Sequence, residues 1–227
     1  MTQHLFQIPT PRLAFTVVRC GCSFVRRLSS ARQPEQLVLV ESAGSGIRVL
    51  TLNNDTQANC LSLAMISELH SAIKQVKDVK EVRAVVIRGT GRFFSCGHDL
   101  NEFVGNDDSE LPATVFTACA NLMIDLANLP VPSIASVGGF AHGTGCQLVA
   151  TCDMAVAGQS AKFVAAPIRL GLFGSTPGVA LVRAIGMRAT KELLFTAPSL
   201  GLLFGAIRGS KKVWKGCCIR VCSLVVN

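Results

Sequence analysis

No two cysteines in this 227-residue sequence are spaced Cys-x-x-Cys, although ten are present at 20, 22, 60, 96, 119, 146, 152, 217, 218 and 222, and only four histidines accompany them. Zinc sites of the ribbon and finger types need such pairs. Reduced, mostly buried thiols are therefore expected, with no metal ligands assigned. Acidic residues are missing from both ends: all 14 fall between Glu35 and Glu192. The formal charge of +8 is thus a property of the ends, since residues 35–192 hold 12 Lys+Arg against 14 Asp+Glu. That near-neutral middle excludes a bulk electrostatic argument for nucleic acid. No apolar run reaches the roughly 18 residues of a membrane span. A Walker lysine pattern is absent as well, and Gly143-Thr144-Gly145-Cys146-Gln147-Leu148 lacks the third glycine of a dinucleotide fingerprint.

What the first 34 residues do contain is five arginines, at 12, 19, 26, 27 and 32, among apolar residues and the pair Ser29-Ser30. A mitochondrial transit peptide has this composition. A secretory signal fits less well, because Arg19 interrupts the apolar run and basic residues continue beyond it. Residues 1–33 are expected to be a disordered leader, 34–197 a single folded core and 198–227 a divergent tail. With 49% hydrophobic residues the chain supports one sizeable core rather than two.

Leu37–Val40 and Ile47–Leu52 read as strands of a hairpin around Ala43-Gly44-Ser45-Gly46. Ser62 is placed to cap a helix whose apolar residues Ile66, Leu69, Ile73 and Val76 recur every three or four positions to about Asp78. A strand follows over Val82–Ile87. Asn106–Glu110 is an acidic, turn-rich loop, and Val115–Leu129 reads as a helix stopped by Pro130 and Pro132. Ser133–Val137, Asp153–Ala157 and Lys162–Val164 then alternate with short helical stretches. The alternation is that of an α/β protein.

Two turns carry the chemistry. Phe93-Phe94-Ser95-Cys96-Gly97-His98-Asp99-Leu100 follows the buried-strand run Ala84–Ile87, and Gly138–Gly145 follows Ile134–Val137. Successive N–H groups at a turn entering a helix converge on one space, where the helix N-terminus favours developing negative charge. Two such corners make a two-donor oxyanion hole, in which one donor is worth about 3 kcal/mol to a transition state. Taken singly, each corner is an ordinary strand-to-helix turn.

The ordered segments VVIRGTGRFFSCGHDLNEF, LPVPSIASVGGFAHGTGCQLVATCDMAVA and AKFVAAPIRLGLFGSTPGVALVRAIG resemble the enoyl-CoA hydratase/isomerase (crotonase) superfamily over roughly Leu37–Thr196. The resemblance implies a ClpP/crotonase-like spiral of repeated β-β-α units that binds acyl-CoA thioesters, with coenzyme A entering as part of the substrate and no separate cofactor. It assigns the two oxyanion N–H groups to Cys96 and Thr144, and the acyl-CoA contact segment to Cys96, Gly97, His98 and Asp99. Asn59-Cys60-Leu61 resembles the early loop along the coenzyme. The two glutamates with which a family hydratase positions water correspond to Gln147 and Pro167. Each missing acid or base group removes roughly 10²- to 10⁴-fold, so hydration is expected to be weak or absent. The likeness fades after Thr196, where family members continue into helices that complete the acyl pocket and build a homotrimer. The C-terminal helical part is accordingly expected to be missing or altered, which argues against that trimer.

Other residues fit blander roles. Asp99 reads as a helix cap and Asp153 as a turn-fixing residue, while His98, His142 and His70 read as capping or packing groups, with His98 also a candidate acid or base. A non-enzymatic reading, RNA-binding or regulatory, rests on Lys74, Lys77 and Lys80. Asp78 and Glu81 interleave with them, which favours a solvated charged face.

Overall fold

The computed structural model describes residues 36–103, 110–165, 168, 171 and 173–197, with the backbone of 200–201. The expected leader, most of the acidic loop, Pro167 and the tail beyond residue 201 lie outside the described residues. β1 (Val38–Ala43) and β2 (Ile47–Leu52) pair antiparallel from Val38↔Leu52 to Ala43↔Ile47. This is the anticipated hairpin, with its first strand carried three residues further. Ser62 caps α1 (Leu63–Lys77) by accepting the Met65 N–H at 3.2 Å. Met65, Ile66, Leu69, Ile73 and Val76 form its buried stripe.

β3 spans Ala84–Gly89 rather than Val82–Ile87. The Val82 N–H closes a turn on Val79 O, and the Arg83 N–H goes to Gly46 O, so neither joins the ladder of this strand. β4 (Phe93–Ser95) follows at once. α2 (Leu111–Ala127) begins four residues before its expected start, because Pro112 lies in the first turn, where a missing N–H costs nothing. Then come β5 (Ser133–Val137), β6 (Phe140–His142), α3 (Thr144–Thr151), β7 (Met154–Ala157), β8 (Lys162–Val164), α4 (Ser175–Thr196) and β9 (Leu200–Gly201). α4 breaks its helical course at Gly186, where φ is 80° and ψ 162°.

The strands form two sheets, ordered β1-β2-β3-β5-β7 and β4-β6-β8-β9. Consecutive strands divide between them: β3, β5 and β7 enter the first sheet, and β4, β6 and β8 enter the second. Each new strand runs parallel to its predecessor in the same sheet. A helix follows each pair, α2 after β4, α3 after β6 and α4 after β8. The architecture is therefore a spiral of β-β-α units. Leu200 and Gly201 pair antiparallel with Phe163 and Lys162, so the first residues of the expected tail extend the second sheet.

Leu50, Leu52, Val85 and Ile87 from the sheet meet Ile66, Leu69 and Ile73 of α1 and Leu122 and Leu126 of α2 in one buried cluster. Burying one such side chain stabilises the fold by about 1.5–3 kcal/mol. Asp153 Oδ2 accepts both the N–H and the hydroxyl of Ser133, each at 2.8 Å, and so fixes the start of β5 against the entry to β7.

Candidate functional site

β4 and β6 are adjacent and parallel, with Phe93 opposite Phe140 and Ser95 opposite Ala141. Their C-terminal turns, Ser95–Asp99 and Gly143–Gln147, consequently meet. The approach demands glycine on both sides. A Cβ on Gly97, whose φ is +88°, would lie 2.9 Å from His142 O and 3.2 Å from Thr144 N, and one on Gly145 would lie 2.6 Å from Ser95 O.

A third segment braces the first turn. The Cys96 N–H donates to Ala58 O at 3.0 Å, and the Leu61 N–H donates to Gly97 O at 2.7 Å. Ala58 and Asn59 both adopt positive φ, 53° and 50°. The fully buried Asn59 amide donates to Thr90 O at 2.9 Å and Phe93 O at 2.7 Å, while its oxygen accepts the Asn54 N–H at 2.8 Å. Glu102 reaches back to the same region, accepting the Leu63 N–H at 3.0 Å and so closing the start of α1. Partial burial holds its carboxyl above the usual range.

These bonds decide which N–H groups are open. Cys96, expected as the first oxyanion donor, has its N–H committed to Ala58 O, and Gly97 donates to Ser95 Oγ at 3.2 Å. The assignment to Cys96 is therefore corrected: its N–H is committed within the fold, whereas the His98 N–H two residues on lacks an acceptor among the described residues. On the second turn Gly143 donates to Val164 O, and Cys146 and Gln147 donate to Gly143 O, which leaves the Thr144 and Gly145 N–H groups without an acceptor among the described residues. Thr144 is the first residue of α3, where an amide has no partner within the helix.

The side chains around these amides are mostly buried. Gln147, 9% exposed, keeps its Oε1 buried and unbonded among the described residues. His98 Nδ1 lies 3.4 Å from Leu61 O, a bond that requires the proton on Nδ1 and leaves Nε2 as a buried acceptor. Desolvation lowers its pKa, so the ring is neutral. Phe103 and Phe116 meet this ring edge-on at 5.9 and 5.2 Å. Asp99 accepts the Asn101 N–H at 3.0 Å, as a cap. His70 bonds Asp125 at 2.6 Å and Lys77 bonds the other oxygen at 2.7 Å, joining α1 to α2. Among the described residues no three His, Cys, Asp or Glu side chains cluster as a metal site requires.

Sequence reasoning missed Asn59 as a brace and Glu102 as a clamp. Both act on residues more than thirty positions away, a relation that local patterning does not carry.

A family model described as enoyl-CoA hydratase/isomerase matches residues 42–202. The chain belongs to the enoyl-CoA hydratase/isomerase family. Similar members include the human enoyl-CoA hydratase domain-containing protein 3, mitochondrial, 41% identical over 72% of this chain and 54% of its own length. The Danio rerio protein of the same name is 39% identical over 81% of this chain and 64% of its own. The chain thus spans between about half and two thirds of the length of these curated relatives. Among solved structures, human enoyl Coenzyme A hydratase domain-containing protein 3 superposes with a TM-score of 0.72 at 38% identity, covering 76% of this chain and 68% of that one. An enoyl-CoA hydratase from Mycobacterium smegmatis gives a TM-score of 0.73 at 40% identity, covering 77% and 68%. Family membership and the spiral fold agree.

Proposed function

We propose that the chain binds acyl-CoA thioesters, with the thioester oxygen received by the His98 and Thr144 N–H groups. The observation that carries this reading is the meeting of the two turns, where the His98 amide on one and the Thr144 amide at the head of α3 on the other lack an acceptor among the described residues. A thioester carbonyl polarised by two N–H groups gains acidity at its α-carbon, because the oxygen takes up the charge of the enolate. Thr144 at the N-terminus of α3 adds the positive end of the helix dipole. Gly97, His98 and the side of Cys96 line the approach, and Gln147 is placed to hydrogen-bond a water or the thioester.

Hydration is expected to be weak. Gln147 neither accepts nor releases a proton near neutral pH, and Pro167, the second family acid position, carries no titratable side chain. The chemistry the remaining groups favour is enolate-type, such as isomerisation, with His98 Nε2 the neutral acceptor nearest the paired turns along the chain. Fatty acyl thioesters and a place in the mitochondrial matrix fit the family, the mitochondrial names of the relatives and the Arg-rich, acid-free leader.

Thermal-shift titration of the purified chain with crotonyl-, octanoyl- and palmitoyl-CoA tests the reading. At a ligand concentration of 100 Kd the native state gains about 2.7 kcal/mol, and Tm rises with concentration. A Tm unmoved by every thioester overturns it.

A further inference from the structure

Cys60 lies in the segment that braces the first turn and Cys96 in the turn itself, and both thiols are free. Both sulfurs also meet one residue, Cys96 Sγ lying 3.6 Å from Gln57 O and Cys60 Sγ 3.8 Å from Gln57 Oε1. The backbone holds them there. Leu61 pairs with His98 as parallel bridge partners, and hydrogen bonds from Cys96 to Ala58 and from Leu61 to Gly97 flank the two cysteines. In that register Cys60 lies opposite Gly97 and Cys96 opposite Asn59, one residue out; with strands about 4.8 Å apart and a rise of about 3.3 Å per residue, their Cα atoms fall within the roughly 4.4–6.8 Å that a disulfide spans. Cys146 and Cys152, by contrast, are buried against carbonyl oxygens.

We propose that Cys60 and Cys96 form a reversible disulfide beside the paired turns by exchange with low-molecular-weight disulfides such as glutathione disulfide. The exchange begins at Cys96, which is partly exposed, whereas Cys60 is 4% exposed. The neighbouring thiol favours thiolate at Cys96 and disfavours it at Cys60. The Cys96 thiolate attacks one sulfur of the small disulfide; a new S–S bond forms, the old one breaks, and one glutathione thiolate leaves. With Cys96 now neutral, the main influence raising Cys60 is gone. Cys60 then gives up its proton to the departed thiolate and attacks the Cys96 sulfur, expelling the second glutathione. Two protein thiols are oxidised by two electrons, and one small disulfide is reduced to two thiols. The proposal does not depend on what the site binds.

The test is to incubate the folded full chain with glutathione disulfide, alkylate the remaining thiols, and map peptides cleaved between Cys96 and Cys119. A crosslinked Cys60–Cys96 peptide, about 2 Da lighter than its parts and reverting with dithiothreitol, is the expected result. Cys60→Ser is expected to trap a glutathione adduct on Cys96, about 305 Da heavier, and Cys96→Ser to leave Cys60 unmodified. Recovery of Cys60 and Cys96 as separately alkylated peptides from the oxidised wild-type chain overturns the proposal. That wild-type map decides even if a variant fails to fold, and circular dichroism shows whether each does.

Discussion

A methyl group on Gly97 would press on His142 O and crowd Thr144 N, so Gly97→Ala forces apart the two turns that carry the His98 and Thr144 amides. The positive φ adds backbone strain of about 1–3 kcal/mol. The variant is expected to lose its thermal shift with acyl-CoA while circular dichroism still reports a folded chain; an undiminished shift would show that the close approach is not needed for binding. At Gln147, replacement by glutamate supplies one of the two missing proton-transfer groups. Crotonyl-CoA hydration is expected to rise about 10²-fold, the lower end of what one such group contributes. Wild-type turnover already at the variant's level would sink the reading of Gln147 as the limiting position. The glycines and Gln147 were legible in the sequence because the motifs hold their chemistry within a few residues. The choice between Cys96 and His98 as donor was not. It depends on which amide Ala58 O engages, and Ala58 is 38 positions from Cys96.

Helix α1 is tied to α2 through Asp125, which takes His70 on one oxygen and Lys77 on the other. These bonds, Lys77 first and then His70, lower the Asp125 pKa from its ordinary 3.8 to about 2. A depressed carboxyl stabilises the fold fully above its unfolded pKa, and the contribution fades as pH falls through the folded one. Asp125→Asn is therefore expected to lower Tm at neutral pH, with the gap to wild type closing between about pH 4 and pH 2. Melting curves across that range check it, and a gap constant with pH would count against the ion-pair account. The same contact directs one of the three periodic lysines at a neighbouring helix. Element positions followed closely from apolar spacing, as the Ile66, Leu69, Ile73 and Val76 stripe shows, because burial imposes that period directly. Boundaries slipped where bonds outside the ladder took the amides, a local turn onto Val79 O at Val82 and the distant Gly46 O at Arg83.

At the scale of the molecule, the division of successive strands between two sheets makes the chain a short solenoid. Each turn of the coil rests mainly on the turns before and after it, so cooperativity passes between neighbours rather than through the whole body at once. The paired amides lie between two consecutive turns, those holding β4 and β6, whereas β8, α4 and β9 form the last layer among the described residues. Under mild urea the last layer is expected to fray first, and amide hydrogen exchange should show protection declining from β3 and β5 towards β8 and α4. Uniform protection across all layers would show instead a single cooperative unit. A site seated one layer in from the fraying end can persist in a partly opened molecule, so ligand binding and global stability need not be lost together.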